Sequence, residues 1–351
     1  MMSFSMAYEY EDYVKAINCG NDVNEIDYDG TTPLFHVSSF NLHGDHIVNY
    51  RKIINLFLEN GANLDHKDEK GLTALMTSES DYFSLCLLEM GCKIYLKDTS
   101  SGEFTTHALI ESAIRGHTRS IEYMVKHMGV SVNTKINGET PLNIVLKLNK
   151  YSFYTWAVKG IKKLIELGAD VNVLDQNMFP PIYHARMSYE CMFCLIDAGA
   201  NINTELPIDE TLLHLSCYED HRISKLLLRN GADENKLTSD GSSPLIRLMN
   251  KDEEWSDNDE SILCNFIFRS EPKCSIVNKN GISIFNSKNE LPEWIKTVVD
   301  IRVKNENWKR RSWIIMYKVA SENVYKKKEY NIIENVIKTP CEIFRKIVEY
   351  I

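Results

Sequence analysis

Residues 136–144, INGETPLNI, and residues 164–175, LIELGADVNVLD, decide the fold of this 351-residue chain. In the first stretch a turn runs into Thr140, Pro141 and Leu142. Threonine can cap a helix start, and proline fits a first-turn position where its missing N–H costs nothing. In the second, apolar residues at helical spacing stop at Gly168, where the chain leaves a helix and needs a residue that accepts a left-handed conformation. The same pair recurs outward in both directions. Towards the N-terminus stand DYDGTTPLFH (27–36) with LFLENGANLDHKD (56–68), then DEKGLTALM (68–76) with LLEMGCKIYLKD (87–98). Towards the C-terminus stand NMFPPIYHA (177–185) with LIDAGANIN (195–203), IDETLLHLS (208–216) with LLLRNGADEN (226–235), and SDGSSPLIRL (239–248). The T-P-L leucine and its equivalents fall at Leu34, Leu75, Leu109, Leu142, Ile182, Leu213 and Leu245, separated by 41, 34, 33, 40, 31 and 32 residues. The closing glycines are Gly61, Gly91, Gly129, Gly168, Gly199 and Gly231.

Over residues 22–285 these motifs resemble the ankyrin repeat, a turn followed by two short helices with a period near 33 residues. The resemblance implies an all-α, ankyrin-repeat solenoid with a small helical C-terminal domain. Residues 1–29 are then an N-terminal capping half-repeat, residues 30–287 an array of about seven to eight repeats, and residues 288–351 the C-terminal domain. The half-unit runs from Tyr8 to Asn24, and NKNGISIF (278–285) opens a degenerate last unit. A repeat of this kind cannot bury its apolar face alone, so Ile53, Ile54, Phe57 and Leu58 are expected to face a neighbouring repeat. The long spacings place extra length between the two helices of three units, near residues 38–50, 147–157 and 249–260. Insertions at equivalent points project from one edge.

Composition narrows the function. Apolar residues are 44% and charged residues 25% of the chain, the proportions of a folded protein. The longest apolar stretches, Ile53 to Leu58 and Ile262 to Phe268, fall short of a membrane span, and MMSFSMAYEYEDY is not a secretory signal. A cytoplasmic protein is expected. Nine scattered cysteines fit reduced thiols. From Leu291 to Ile351 there are 13 Lys/Arg against 8 Asp/Glu, which leaves about −14 of the net −9 on residues 1–290. An acidic array is a poor nucleic-acid binder, so a protein partner is expected, with the chain a monomer.

Candidates for chemistry are weak. Cys191 and Cys194 form a C-x-x-C, but they lie within the second helix of a repeat and no second pair completes a zinc site, so they read as buried thiols. His36, His184 and His214 sit at or near the residue after T-P-L and read as structural. No phosphate loop, serine elbow, metalloprotease helix or kinase signature occurs, and no enzyme, cofactor or metal is expected. The basic run 304–330, with Lys309, Arg310, Arg311 and Lys326 to Lys328 among aromatics, reads as helices packed on the last repeat with their basic face solvated.

The last residues carry a different signal. TPCEIFRKIVEYI (339–351) resembles the first helix of an F-box, with Pro340, Glu342, Ile343, Ile347 and Ile351 at the matching positions. Ankyrin repeats with an F-box-like end (PRANC) are the arrangement of poxvirus ankyrin proteins. That resemblance implies a host-interaction protein whose repeats hold a host or cellular target and whose end recruits the Skp adaptor of a cullin-type ubiquitin ligase. Thr339 departs from the usual leucine, and only one of three F-box helices is present. The other reading is an amphipathic closing helix on a sequestering scaffold, since apolar residues at i, i+4 and i+8 require no special purpose. Trp255, among six acidic residues in NKDEEWSDNDES (250–261), suits a secondary contact with a basic partner or a loop folded back on the array.

Overall fold

Each helix boundary follows from a local backbone requirement. At the end of α9 (Thr155–Glu166), Gly168 takes φ 92° and its amide donates to Ile165 O at 3.0 Å, while the Ala169 amide donates to Leu164 O at 2.9 Å. These two bonds satisfy carbonyls that the helix leaves open, and only a residue without Cβ takes that turn cheaply. The same pair closes α3 (Ile47–Glu59), α5 (Asp81–Glu89), α11 (Tyr189–Asp197) and α13 (His221–Arg229). Helix starts are more varied than the T-P-L motif suggests. Thr140 Oγ1 accepts from the Asn143 amide at 3.4 Å at the start of α8 (Pro141–Asn149), and Ser243 Oγ accepts from Ile246 at 3.3 Å at the start of α14 (Pro244–Met249). In one of the repeats without proline, Thr73 precedes α4 (Ala74–Thr77) but makes no capping bond, and its buried hydroxyl has no partner among the described residues.

The computed structural model describes residues 4, 9–39, 47–97, 104–149, 155–219, 221–250, 259, 262, 263, 266, 274, 276–287 and 289. They divide into two units, Met1–Ala200 and Asn201–Ile351. In the first, α1 (Tyr10–Asn18) is followed by the pairs α2 (Pro33–Ser39) with α3, α4 with α5, α6 (Ala108–Arg115) with α7 (Thr118–Lys126), and α8 with α9. The last pair there is α10 (Pro181–His184), continued by a 3-10 turn at Ala185–Met187, with α11. The second unit holds α12 (Leu212–Glu219), α13 and α14, followed by the turn at 278–281.

Stacking supplies the core of each unit. Tyr13 on α1 packs edge-on against Phe57 on α3, and Tyr50 on α3 packs edge-on against Phe83 on α5. Ile53, Ile54 and Phe57 are buried as the helical spacing predicts, whereas Leu58 is only half-buried, at the flank of that face. Polar stitches fix the register between repeats. Asn133 Nδ2 donates to Gly168 O at 3.1 Å while its Oδ1 accepts from the Asp170 amide at 2.9 Å. Asn24 does the same to Gly61 and Asn63, and Asn203 to Gly231 and Asp233. Where Tyr95 stands in place of this asparagine, the hairpin is longer, and it forms a short antiparallel pair, β1 (Tyr95–Lys97) with β2 (Phe104–His107). The sequence spacing hid this lengthened hairpin because the connection between α4 and α5 is correspondingly short.

The extra length expected between paired helices lies there in two units: α2 ends at Ser39 and α3 begins at Ile47, and α8 ends at Asn149 and α9 begins at Thr155. Most of the third stretch, 249–260, lies outside the described residues, as does nearly all of the proposed C-terminal domain, 288–351.

One close approach in the first unit depends on a glycine with no unusual dihedral. Gly160, inside α9, faces α6 so closely that a Cβ there would lie 2.0 Å from Ala113 O. Helix propensity alone favours alanine at this position by about 1 kcal/mol. Packing reverses the sign, and Gly160→Ala is expected to destabilise the chain by about 1–3 kcal/mol, read as a lower urea midpoint at unchanged slope. A stabilised Gly160→Ala protein would contradict the packing of α6 on α9.

Buried imidazoles make stability depend on pH. His214 is fully buried, its Nδ1 accepting from the Thr211 amide at 3.2 Å and its Nε2 lying 3.3 Å from Ser242 O in the next repeat. Burial pushes His214 and His107 each down to about 4 and lowers His117 and His184. An unfolded histidine takes a proton near 6.5, so below that pH the unfolded chain binds more protons than the folded one. This contribution to stability is complete above pH 6.5 and is lost as pH falls towards 4. At pH 5 His107 and His214 each cost about 2 kcal/mol relative to pH 7. Urea unfolding at the two pH values should show the drop, and His214→Gln should shrink it; an unchanged difference in that variant would exclude His214 as a source.

Candidate partner-binding surface

Several hairpin turns are closed from the inside by a side-chain oxygen. Asp175 Oδ1 accepts from the amides of Asn177 and Phe179 at 2.8 and 2.9 Å, and Asp27, Asp68 and Asn278 close their turns the same way. An inward side-chain oxygen thus shapes the backbone, and the residues beside it are displayed on a rigid frame. In the first unit the displayed residues include Ile26, Leu174 and Tyr28, which is 89% exposed beside Glu25 and Asp29; in the second they include Ile208, Leu237 and Val277.

The fourth turn residue adopts a left-handed conformation, with glycine at Gly30, Gly71, Gly241 and Gly281. In two units the sequence departs from glycine: Met178 has φ 64° and Asp209 φ 62°. Asp209 is a residue type that tolerates this region, and its carboxylate accepts from the Ser239 amide of the next hairpin at 2.6 Å; the Ser239 hydroxyl and this amide lower its pKa. Met178 has no such compensation. It is 60% exposed, and the Asp175 turn holds it in a conformation that costs an L-residue about 1 kcal/mol or more.

Around Met178 the first unit assembles an aromatic and cationic surface. The Phe179 and Tyr183 rings stack with centroids 4.1 Å apart, the Arg186 guanidinium lies 4.2 Å from the Tyr183 centroid, and Met187 is exposed beside them. Beneath lies a charged network. The Asp175 carboxylate, whose side chain is fully buried, receives Lys147 Nζ at 2.8 Å and His184 Nε2 at 2.9 Å, and Lys147 also pairs with Glu139. Burial pushes Asp175 up, but the bonds from Lys147, the Phe179 amide, His184 and the Asn177 amide together hold it below the usual carboxylate range. Burial lowers His184, which keeps it neutral and donating to Asp175 at neutral pH. This network positions the aromatic surface. In the second unit, Arg247 lies 3.3 Å from Glu210 and 3.9 Å from Asp240.

The candidates from the sequence fare differently. His36, within 3.5 Å of Asp27, and His184 and His214 all serve the turns of the array. Cys191 is buried, but Cys194, three residues along α11, is only half-buried, because the pair straddles the edge of the helix's apolar face. Trp255, Pro340, Glu342, Ile343, Ile347 and Ile351 lie outside the described residues. The surface at Met178, Phe179, Tyr183 and Arg186 was not singled out from the sequence, although a methionine at the turn's glycine position in NMFPPIYHA was a visible departure.

The chain has relatives. A family model described as ankyrin repeat matches residues 209–239. "Ankyrin repeat protein nuc-2" of Neurospora crassa is 29% identical over 183 residues, 50% of this chain and 15% of that protein. Human "Ankyrin repeat and SOCS box protein 3" is 35% identical over 95 residues, 25% of this chain and 18% of that protein. The chain thus spans less than a fifth of these relatives. The human ASB11 ankyrin repeat domain is a solved structure similar to this one at TM-score 0.48 and 23% identity, covering 64% of this chain and 93% of that one. The matched residues 209–239 comprise one unit of the turn, helix pair and closing glycine that recurs in both parts of the structure, so the chain carries the ankyrin-repeat fold.

Proposed function

We propose that this protein is an adaptor whose repeats hold a protein target while its C-terminal segment docks the Skp adaptor of a cullin-type ubiquitin ligase, as a viral host-interaction protein would. The general role, a scaffold for protein–protein interaction, follows from the ankyrin repeats themselves. The observation that carries the finer reading is the sequence TPCEIFRKIVEYI, with Pro340, Glu342, Ile343, Ile347 and Ile351 at F-box-like positions. The human relative's name likewise pairs ankyrin repeats with a second module, a SOCS box. The surface at Phe179, Tyr183 and Arg186 supports target binding, because aromatic and arginine side chains held on a rigid frame are the residue types that dominate binding energy at interfaces. A sequestering scaffold, in which the repeats block a partner and the C-terminal segment only covers the last repeat, is the competing reading.

The two readings part at the C-terminal segment. Purified Skp adaptor is expected to bind the full chain and to lose binding on deletion of residues 339–351. The Ile343→Asp, Ile347→Asp double variant should weaken it by about tenfold or more while keeping the wild-type circular dichroism spectrum. Equal binding by wild type and double variant, or none by the wild type, leaves the sequestering scaffold.

A further inference from the structure

The hairpin turns follow the C-terminal end of each second helix and precede the first helix of the next pair, so the starts of the second helices lie at the opposite end of each pair. That end of the first unit carries a second surface of distinct chemistry. The Arg119 guanidinium on α7 sits 3.9 Å from the ring centroid of Tyr82 on α5. On α9 of the next repeat, Lys159 Nζ sits 4.5 Å from the ring of Trp156, which is 56% exposed. The two pairs are brought close by Gly116, three residues before Arg119. A Cβ on Gly116 would lie 2.5 Å from the Trp156 carbonyl oxygen, so the start of α9 abuts the turn that leads into α7.

These cations are paired differently from several other basic residues of the unit. Arg51, Lys147 and Lys163 all reach carboxylates, at Glu89, at Glu139 and Asp175, and at Glu122 and Glu166. Among the described residues Arg119 and Lys159 form no salt bridge, and both are exposed. The nearby Asp81 carboxylate is engaged by the amides of Arg119 and Ser120, each at 3.0 Å, and by the Ser120 hydroxyl at 2.8 Å, bonds that fix the start of α7 on α5. An aromatic ring holds a cation in place without neutralising its charge. In an array carrying about −14, two such cations with their rings form a positive, amphipathic strip.

We propose that Tyr82, Arg119, Trp156 and Lys159 form a docking strip for an acidic segment of a partner protein, separate from the hairpin surface and independent of the reading of the C-terminal segment. Carboxylates of the segment meet the two cations, and an apolar side chain lies along the edge of the Trp156 indole. Charge complementarity selects an acidic over a basic or neutral segment, and the fixed rings lower the ordering cost of binding.

The test measures fluorescence anisotropy of a fluorescein-labelled oligoglutamate peptide with a central leucine on the full chain at about 50 mM salt, where screening is modest. The Arg119→Gln, Lys159→Gln double variant is expected to weaken binding about tenfold or more. The Lys67→Gln, Lys70→Gln variant, which removes the same charge from a hairpin, is expected to change it less than about twofold. Trp156→Ala, which keeps both cations, should weaken it several-fold, and each variant is compared at wild-type circular dichroism. The proposal is overturned by absence of binding to the wild type, by equal weakening in the two charge variants, or by a single-stranded oligothymidylate of equal charge that binds the wild type more tightly than the peptide.

Discussion

The burial of one helix pair's apolar face against the next is the constraint on which the structure depends. Helices of 4 to 13 residues are at or below the length at which an isolated helix is stable in water, so none persists without its neighbour. A fully buried side chain such as Phe57, Tyr50 or Leu109 contributes about 1.5–3 kcal/mol. A hydrogen bond such as that from Asn133 to Gly168 O nets about 1 kcal/mol. Apolar stacking therefore supplies most of the stability, and the asparagine stitches supply register, because a carbonyl and an amide two residues apart can be met together in only one alignment. At the β1–β2 hairpin Tyr95 stands in place of the asparagine, and α5 still packs against α7.

Because inward-facing side-chain atoms hold the backbone of the turns at Asp27, Asp68, Asp175 and Asn278, exposed residues there such as Tyr28 and Met178 can serve a partner. This explains how Met178 persists at a left-handed position. The Asp175 carboxylate fixes the turn through two amides, and it is itself anchored by Lys147 and His184 from flanking helices. The conformational cost of Met178 is offset by bonds it does not make. The result is an exposed thioether next to a stacked aromatic pair, a combination of adaptable and rigid apolar surface suited to protein recognition.

Among the described residues of the first unit, the hairpin end and the end where α7 and α9 begin differ in electrostatics. At the hairpin end, carboxylates are needed to accept backbone amides, which places Asp27, Asp68 and Asp175 there. At the other end, where α7 and α9 begin, the exposed cations Arg119 and Lys159 have aromatic partners. A partner reading charge would approach the two ends differently.

The sequence by itself determined the repeat. Closing glycines, T-P-L starts and the D-V-N segment are local signals, set by dihedral and hydrogen-bond requirements that a few neighbouring residues satisfy, and the helix ends and left-handed glycines lie where those signals put them. The two readings of the C-terminal segment also belong to the sequence. What only the tertiary structure decided is everything that joins residues of different repeats. The sign of a Cβ at Gly160 depends on a carbonyl of α6; the neutral state of His214 depends on its burial among neighbouring repeats, which outweighs the opposing bond to Ser242 O of the next repeat. The surfaces at Tyr183 and at Trp156 depend on rings and cations that meet only after stacking. No local pattern encodes these, because each repeat satisfies its own backbone without reference to the side chains its neighbour presents, and the contact between them forms only when two apolar faces close.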